Sequence, residues 1–113
     1  MPIVYRYNNG QLPAAANEVF RAPSVPMAVT STWLCNTDST LRTVTIYHIP
    51  SDESVSDEHL LLDTLELRPK TTIIIETPFF LEQGDAVVAF ADVAGKVSAS
   101  FYAIPFADWI RSR

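Results

Sequence analysis

The chain has 113 residues and a formal net charge of −5, from 13 acidic and 8 basic side chains. Six of the acids, Asp52, Glu53, Asp57, Glu58, Asp63 and Glu66, fall within residues 51–66, which hold no Lys or Arg. The length fits one domain, the 48% apolar share argues against intrinsic disorder, and the acid excess disfavours nucleic acid as a partner.

Residues 1–17 read as an N-terminal arm: Ile3 to Tyr7 alternates well enough for a short strand, and Asn8-Asn9-Gly10 is a turn signal. Such an arm either pairs with a sheet edge or reaches a neighbour. The start, Met-Pro-Ile-Val-Tyr-Arg-Tyr, has no signal-peptide pattern, so a protein that is not secreted is expected. Val19 to Ala22 is a short strand bounded by Pro23 and Pro26, since proline cannot donate to a ladder.

Residues 27–36 are rich in β-branched and aromatic side chains and form the next strand. Trp33 within it reads first as core and Cys35 as a buried free thiol acting as a small hydrophobe. Asn36 to Thr40 is a polar turn. Residues 42–49 alternate cleanly, with Val44, Ile46 and His48 on the core face and Thr43, Thr45, Tyr47 and Ile49 on the wet face. The two segments are expected to form a hairpin with a loop of five residues.

The acidic loop 51–59 follows, and Ser56 is placed to cap a short helical turn over Asp57-Glu58-His59. Residues 60–67 are a strand with Leu61, Leu65 and Leu67 on one face. A buried strand at 72–76, a short segment at 79–81, and strands at 86–91 and 97–104 complete the set. Gly84 supplies a positive φ to the turn at 82–85. Val97, Ala99, Phe101 and Ala103 form one face of the last strand. The C-terminal tail, 105–113, places Phe106, Trp109 and Ile110 at i, i+3, i+4, which suits one helical turn.

Seven or eight short strands, with a turn signal every 8–12 residues, define an all-β protein. The expectation is a single antiparallel β-sandwich or jelly-roll over residues 18–104, with arms at 1–17 and 105–113.

Chemistry-bearing motifs are few. There is no glycine-rich phosphate loop, nucleophile elbow or His-Glu-x-x-His helix, and no catalytic or cofactor-binding residue is assigned. Cys35, His48 and His59 are 13 and 11 residues apart, which matches no zinc spacing. Asp52, Glu53, Asp57 and Glu58 offer oxygens to calcium without EF-hand order, so no metal site is assigned. The loop reads first as solvated, and then as a docking loop for a basic surface. Trp33, Tyr47 and Tyr102 are candidates for a sugar platform, because β-sandwiches often serve as lectins.

An ordered set of motifs points further: Ala22-Pro23, Val29-Thr30-Ser31, Cys35-Asn36-Thr37, Thr43-Val44-Thr45, Ile49-Pro50-Ser51, Leu67-Arg68-Pro69, Gly84-Asp85 and Ala94-Gly95-Lys96-Val97. From residue 18 to 104 the chain resembles small β-sandwich virion proteins of tailed bacteriophages. Two places depart from that pattern: acidic Asp52-Glu53-Ser54-Val55 replaces a Gly-Gly-Ser-Ala loop, and 105–113 extends past the usual end. The resemblance implies a non-enzymatic virion component, either a capsid decoration (cement) protein or a tail, collar or fibre-attachment subunit. It implies a homo-oligomer, with a trimer as the first expectation, and major capsid or tail proteins as partners. The interaction residues expected on this basis are Tyr5, Tyr7, Asp52, Glu53, Asp57, Glu58, Phe106, Trp109 and Ile110. The alternative is a carbohydrate-binding module for host recognition.

Overall fold

The structure, a computed structural model, describes residues 5–112. Its strands in chain order are β1 (Tyr5–Gln11), β2 (Asn17–Arg21), β3 (Met27–Asn36), β4 (Arg42–Ile49), β5 (Leu60–Leu67), β6 (Thr72–Ile75), β7 (Phe79–Leu81), β8 (Ala86–Ala91) and β9 (Val97–Pro105). A 3₁₀ turn covers Asp57–His59, and one short helix, α1 (Phe106–Arg111), ends the chain. Two antiparallel sheets form the expected sandwich. The first has the order β1-β9-β3-β6, with β7 pairing with β3 beyond β6; the second has the order β2-β8-β4-β5.

Alternation builds the core. Val97, Ala99, Phe101 and Ala103 of β9 are buried while Ser98, Ser100 and Tyr102 are only half-buried, as their period of two requires. From the facing sheet come Phe20, Val44, Ile46, Val87 and Ala89. Phe101 sits 5.5 Å from Phe20, ring centroid to ring centroid, and joins the two layers. Segment 5–11 takes the sheet-edge option: β1 pairs with β9 along Tyr5↔Ala103 to Gln11↔Ser98. The Asn8-Asn9-Gly10 signal makes a register shift between Tyr7 and Gly10 rather than a turn, so two residues of β1 oppose one of β9. Leu12, just after β1, is buried in the core.

Several expectations are corrected. β3 and β4 are not a hairpin; they lie in different sheets and face each other across the core. Asn36 is the reason. Its buried Nδ2 donates to the carbonyls of Thr40, Leu67 and Arg68 at 2.9, 3.0 and 3.2 Å, and its Oδ1 accepts from Asp38 N–H. These bonds turn the chain from one layer into the other.

In β5, Leu62, Leu65 and Leu67 contact or join the core, whereas Leu61 is 40% exposed. Thr64 has φ +55°, and the register with β4 shifts around it, which inverts the face order midway. β6 is an edge strand rather than a buried one, with Thr72 and Ile74 exposed. The presumed wet face of β4 is partly covered: Thr45 and Ile49 are buried, with Tyr47 packed beside Ile49, Ala86 and Val88. Cys35 is only half-buried, and Trp33 is exposed, because both occupy the outward phase of β3 opposite buried Leu34.

Candidate functional site

The strand directions sort the loops into two ends. At one end, segments 22–26, 50–59 and 82–85 and the start of α1 are tied together. Ala22 N–H donates to Asp85 O, Gly84 N–H to Ala22 O, and Phe106 N–H to Pro26 O. The knot of this end is Asp85, only 6% exposed. Its Oδ2 lies 2.8 Å from His48 Nε2 and accepts Glu82 N–H at 3.0 Å; its Oδ1 accepts Ser51 N–H at 3.1 Å. Burial pushes this carboxyl up, but the bonds from His48, Glu82 and Ser51 outweigh it and hold it below the usual carboxylate range. Gly84 beside it has φ +87°, and a Cβ there would lie 2.9 Å from Ser51 Oγ, so both its backbone and its space call for glycine.

The acidic loop leaves this knot. Asp52, Glu53, Asp57 and Glu58 are all exposed, and Asp52 carries φ +66°. The 3₁₀ turn closes through His59 N–H to Ser56 O, while the Ser56 side chain makes no capping bond. The fold brings Glu53 and Glu58 together with His59, at 3.1 and 3.4 Å from His59 Nε2. Ligand atoms of the three lie within 4.8 Å of one another, a donor set of one imidazole and two carboxylates. Asp52 and Asp57, which the calcium option required, do not join it.

The C-terminal aromatics pack on their own sheet. Phe106 and Trp109 stack at 5.9 Å, and both meet the edge or face of Phe80 of β7, at 5.4 and 4.8 Å. Ile110 points away and is 53% exposed. The side chains of Tyr5 and Tyr7 lie outside the described residues. Five residues further along β3 from the Phe80 pairing, the first sheet exposes a second apolar pair. Trp33 is 42% exposed, meets Tyr102 edge-on at 6.1 Å, and pairs in register with exposed Ile74. Sequence reasoning put Trp33 first in the core, with an outward sugar platform as its second option, and missed Ile74 and Phe80 as surface groups; the outward phase of Ser31, Trp33 and Cys35 was the available signal. Between β5 and the β6–β7 edge, an apolar groove of about 170 Å³ is lined by Ile46, Leu61, Leu62, Ile75, Pro78 and Phe79.

At the opposite end, segments 12–16, 37–41, 68–71 and 92–96 meet. Thr37 N–H donates to Lys96 O, Lys70 N–H to Asp38 O, and Gly95 N–H to Leu12 O. Arg42 bridges Asp38 at 3.0 Å and Asp92 at 3.1 Å. The Ser39 N–H and then Arg42 hold Asp38 below the usual range, and Asp38 in turn raises Arg42.

A scan of protein-family models and a search of curated proteins by sequence both find no match. Solved structures share the fold. A subunit of Bacillus endospore appendages, described as disulfide-linked pili, aligns over 92% of this chain and 82% of its own, with TM-score 0.52 and 14% identity. The VP2 chain of an infectious bursal disease virus subviral particle aligns at TM-score 0.50 and 12% identity, over 92% of this chain and 32% of its own. A chain of the T13 particle of that virus gives 0.51 and 13%, over 92% and 31%. The protein thus spans about a third of the viral chains and most of the pilus subunit. The fold is that of an antiparallel β-sandwich met in subunits of virus particles and pili, rather than one peculiar to tailed phages.

Proposed function

We propose that this protein is a non-enzymatic structural subunit of a virion, acting through protein–protein contacts and assembling with copies of itself. The observation that carries the reading is the apolar zone on the outer face of the first sheet. There Trp33, Ile74 and Phe80 are each more than 40% exposed. A run of exposed aromatic and aliphatic side chains on a rigid sheet is the usual mark of a docking surface. The resemblance of the sequence motifs to small virion proteins of tailed bacteriophages supports the narrower reading of a capsid decoration protein or a tail, collar or fibre-attachment subunit. Major capsid or tail proteins and a trimeric ring are the corresponding partners and state. In this reading Ile110, Phe106, Trp109 and the acidic side chains Asp52, Glu53, Asp57 and Glu58 lie at or beside contacts, with Tyr5 and Tyr7 on the β1 edge.

A second reading has its own support. Trp33 and Tyr102, at 66° to each other, make an exposed aromatic corner of the kind that can stack on a sugar ring. Light scattering of the wild type beside Trp33→Ser/Ile74→Ser separates the two. Assembly that weakens in the double variant supports the structural reading. A wild-type monomer that binds a glycan array through Trp33 overturns it.

A further inference from the structure

The two ends of the sandwich carry opposite charge, and the segregation is the work of the fold. The acidic end gathers Asp52, Glu53, Asp57, Glu58, Glu82 and Asp85 in its loops and Asp108 on α1, against Arg111 and Arg21, which ends β2 and donates to Gly84 O. Four of those carboxylates, on the loop 51–59, are exposed, with Glu53 and Glu58 resting against His59. The other end gathers Arg42, Arg68, Lys70 and Lys96 against Asp38 and Asp92. Both of these acids are already held by the single Arg42. Arg68, Lys70 and Lys96 are exposed, and among the described residues none of them is ion-paired with a carboxylate. Exposed Glu66, next to last in β5 and paired in register with Thr43, also lies on this side, which leaves four basic groups against three acids.

Apolar groups accompany the charge at each end. Val25 and Val55 are 43% and 44% exposed at the acidic end, and Leu41 and Val93 are 42% and 36% exposed at the basic end. Apolar side chains among charged ones are a common composition of protein–protein contacts. The complementary surface is present on the same molecule at the opposite end.

We infer that copies of this chain stack end to end, the acidic loop 51–59 of one protomer seated on the Arg68/Lys70/Lys96 end of the next. The contact is heterologous: the patch on one copy differs from the patch it meets. Such a contact closes into a ring or runs on as a filament. The end of a single sandwich is a small face, so the contact belongs to the weak class, below roughly 1,200 Å² in total. Charge attraction then governs its strength and its salt dependence. This inference rests on the reading that the protein assembles with itself and names the surfaces that do so.

A charge exchange tests it. One variant reverses the basic end (Arg68→Glu, Lys70→Glu, Lys96→Glu). A second reverses the acidic loop (Asp52→Lys, Glu53→Lys, Asp57→Lys). All of these side chains are exposed, and circular dichroism checks that both variants fold. Sedimentation velocity in 10 mM salt should show wild type heavier than the 12.6 kDa monomer, and lighter in 0.5 M salt than in 10 mM. Each variant alone should assemble less than wild type, because its two ends then carry like charge. An equimolar mixture should regain the wild-type boundary. If both variants assemble like wild type, the stacking surface is refuted while self-assembly stands. If wild type is a monomer in 10 mM salt, both are refuted. If the mixture fails to recover, the ends do not pair with each other and the inference falls.

Discussion

Asp85→Asn is expected to be the most damaging single-atom change in the molecule. Asp85 receives two bonds on Oδ2, from His48 and Glu82 N–H, and one on Oδ1, from Ser51 N–H. An asparagine keeps one acceptor oxygen and turns an NH₂ toward at least one backbone N–H, so a buried donor loses its partner. Bonds to a charged group are each worth about 1.5–3 kcal/mol. His48 is partly exposed, which weakens its share, and the net loss comes to about 2–4 kcal/mol. A domain of this size has only about 5–15 kcal/mol in total. The melting temperature should fall by roughly 8–15 °C, and the urea midpoint should drop with an unchanged slope. The pH dependence fixes the cause. The folded carboxyl titrates below its ordinary range, so its contribution is complete above the unfolded value of about 3.9 and is lost as pH falls through the folded value. The gap between wild type and variant should therefore be wide at pH 6 and close progressively below about pH 4. A variant within 0.5 kcal/mol of wild type at pH 6, or a gap that does not change with pH, refutes the reasoning.

Three further outcomes follow from the packing. Asn36→Ala should cost about 2–3 kcal/mol in urea melts, because the carbonyls of Leu67 and Arg68 lose their donor; a neutral result would mean that water or a shifted loop replaces the amide. Phe80→Ala should remove the ring on which Phe106 and Trp109 rest, so tail-directed limited proteolysis should quicken several-fold while the core melt shifts by no more than about 2 kcal/mol. Thr64→Gly should be neutral or stabilising by up to about 1 kcal/mol, since φ +55° suits glycine better than a β-branched residue, whereas Thr64→Val should destabilise.

The sandwich was legible because each strand carries its own alternation, and alternation in β9 or β4 needs no knowledge of a partner. Strand pairing was not legible. Placing β4 in the second sheet depends on where the Asn36 amide finds its carbonyls, and two of those lie more than 30 residues away. The face order of β5 was misread for a local reason: positive φ at a threonine carries no sequence signal. The acidic loop was visible as composition, but its counterpart was not. Arg68, Lys70 and Lys96 are scattered over 29 residues of sequence and meet only when loops 68–71 and 92–96 are brought to one end. Trp33 was assigned to the core because large aromatics usually are; its alternation with Leu34 was the better guide.

The account stands on self-assembly, and a concentration series of the wild-type protein in sedimentation equilibrium tests that most directly. From one to a hundred micromolar in 10 mM salt, the weight-average mass should climb above 12.6 kDa. A mass that stays at the monomer value across the whole range would contradict the account.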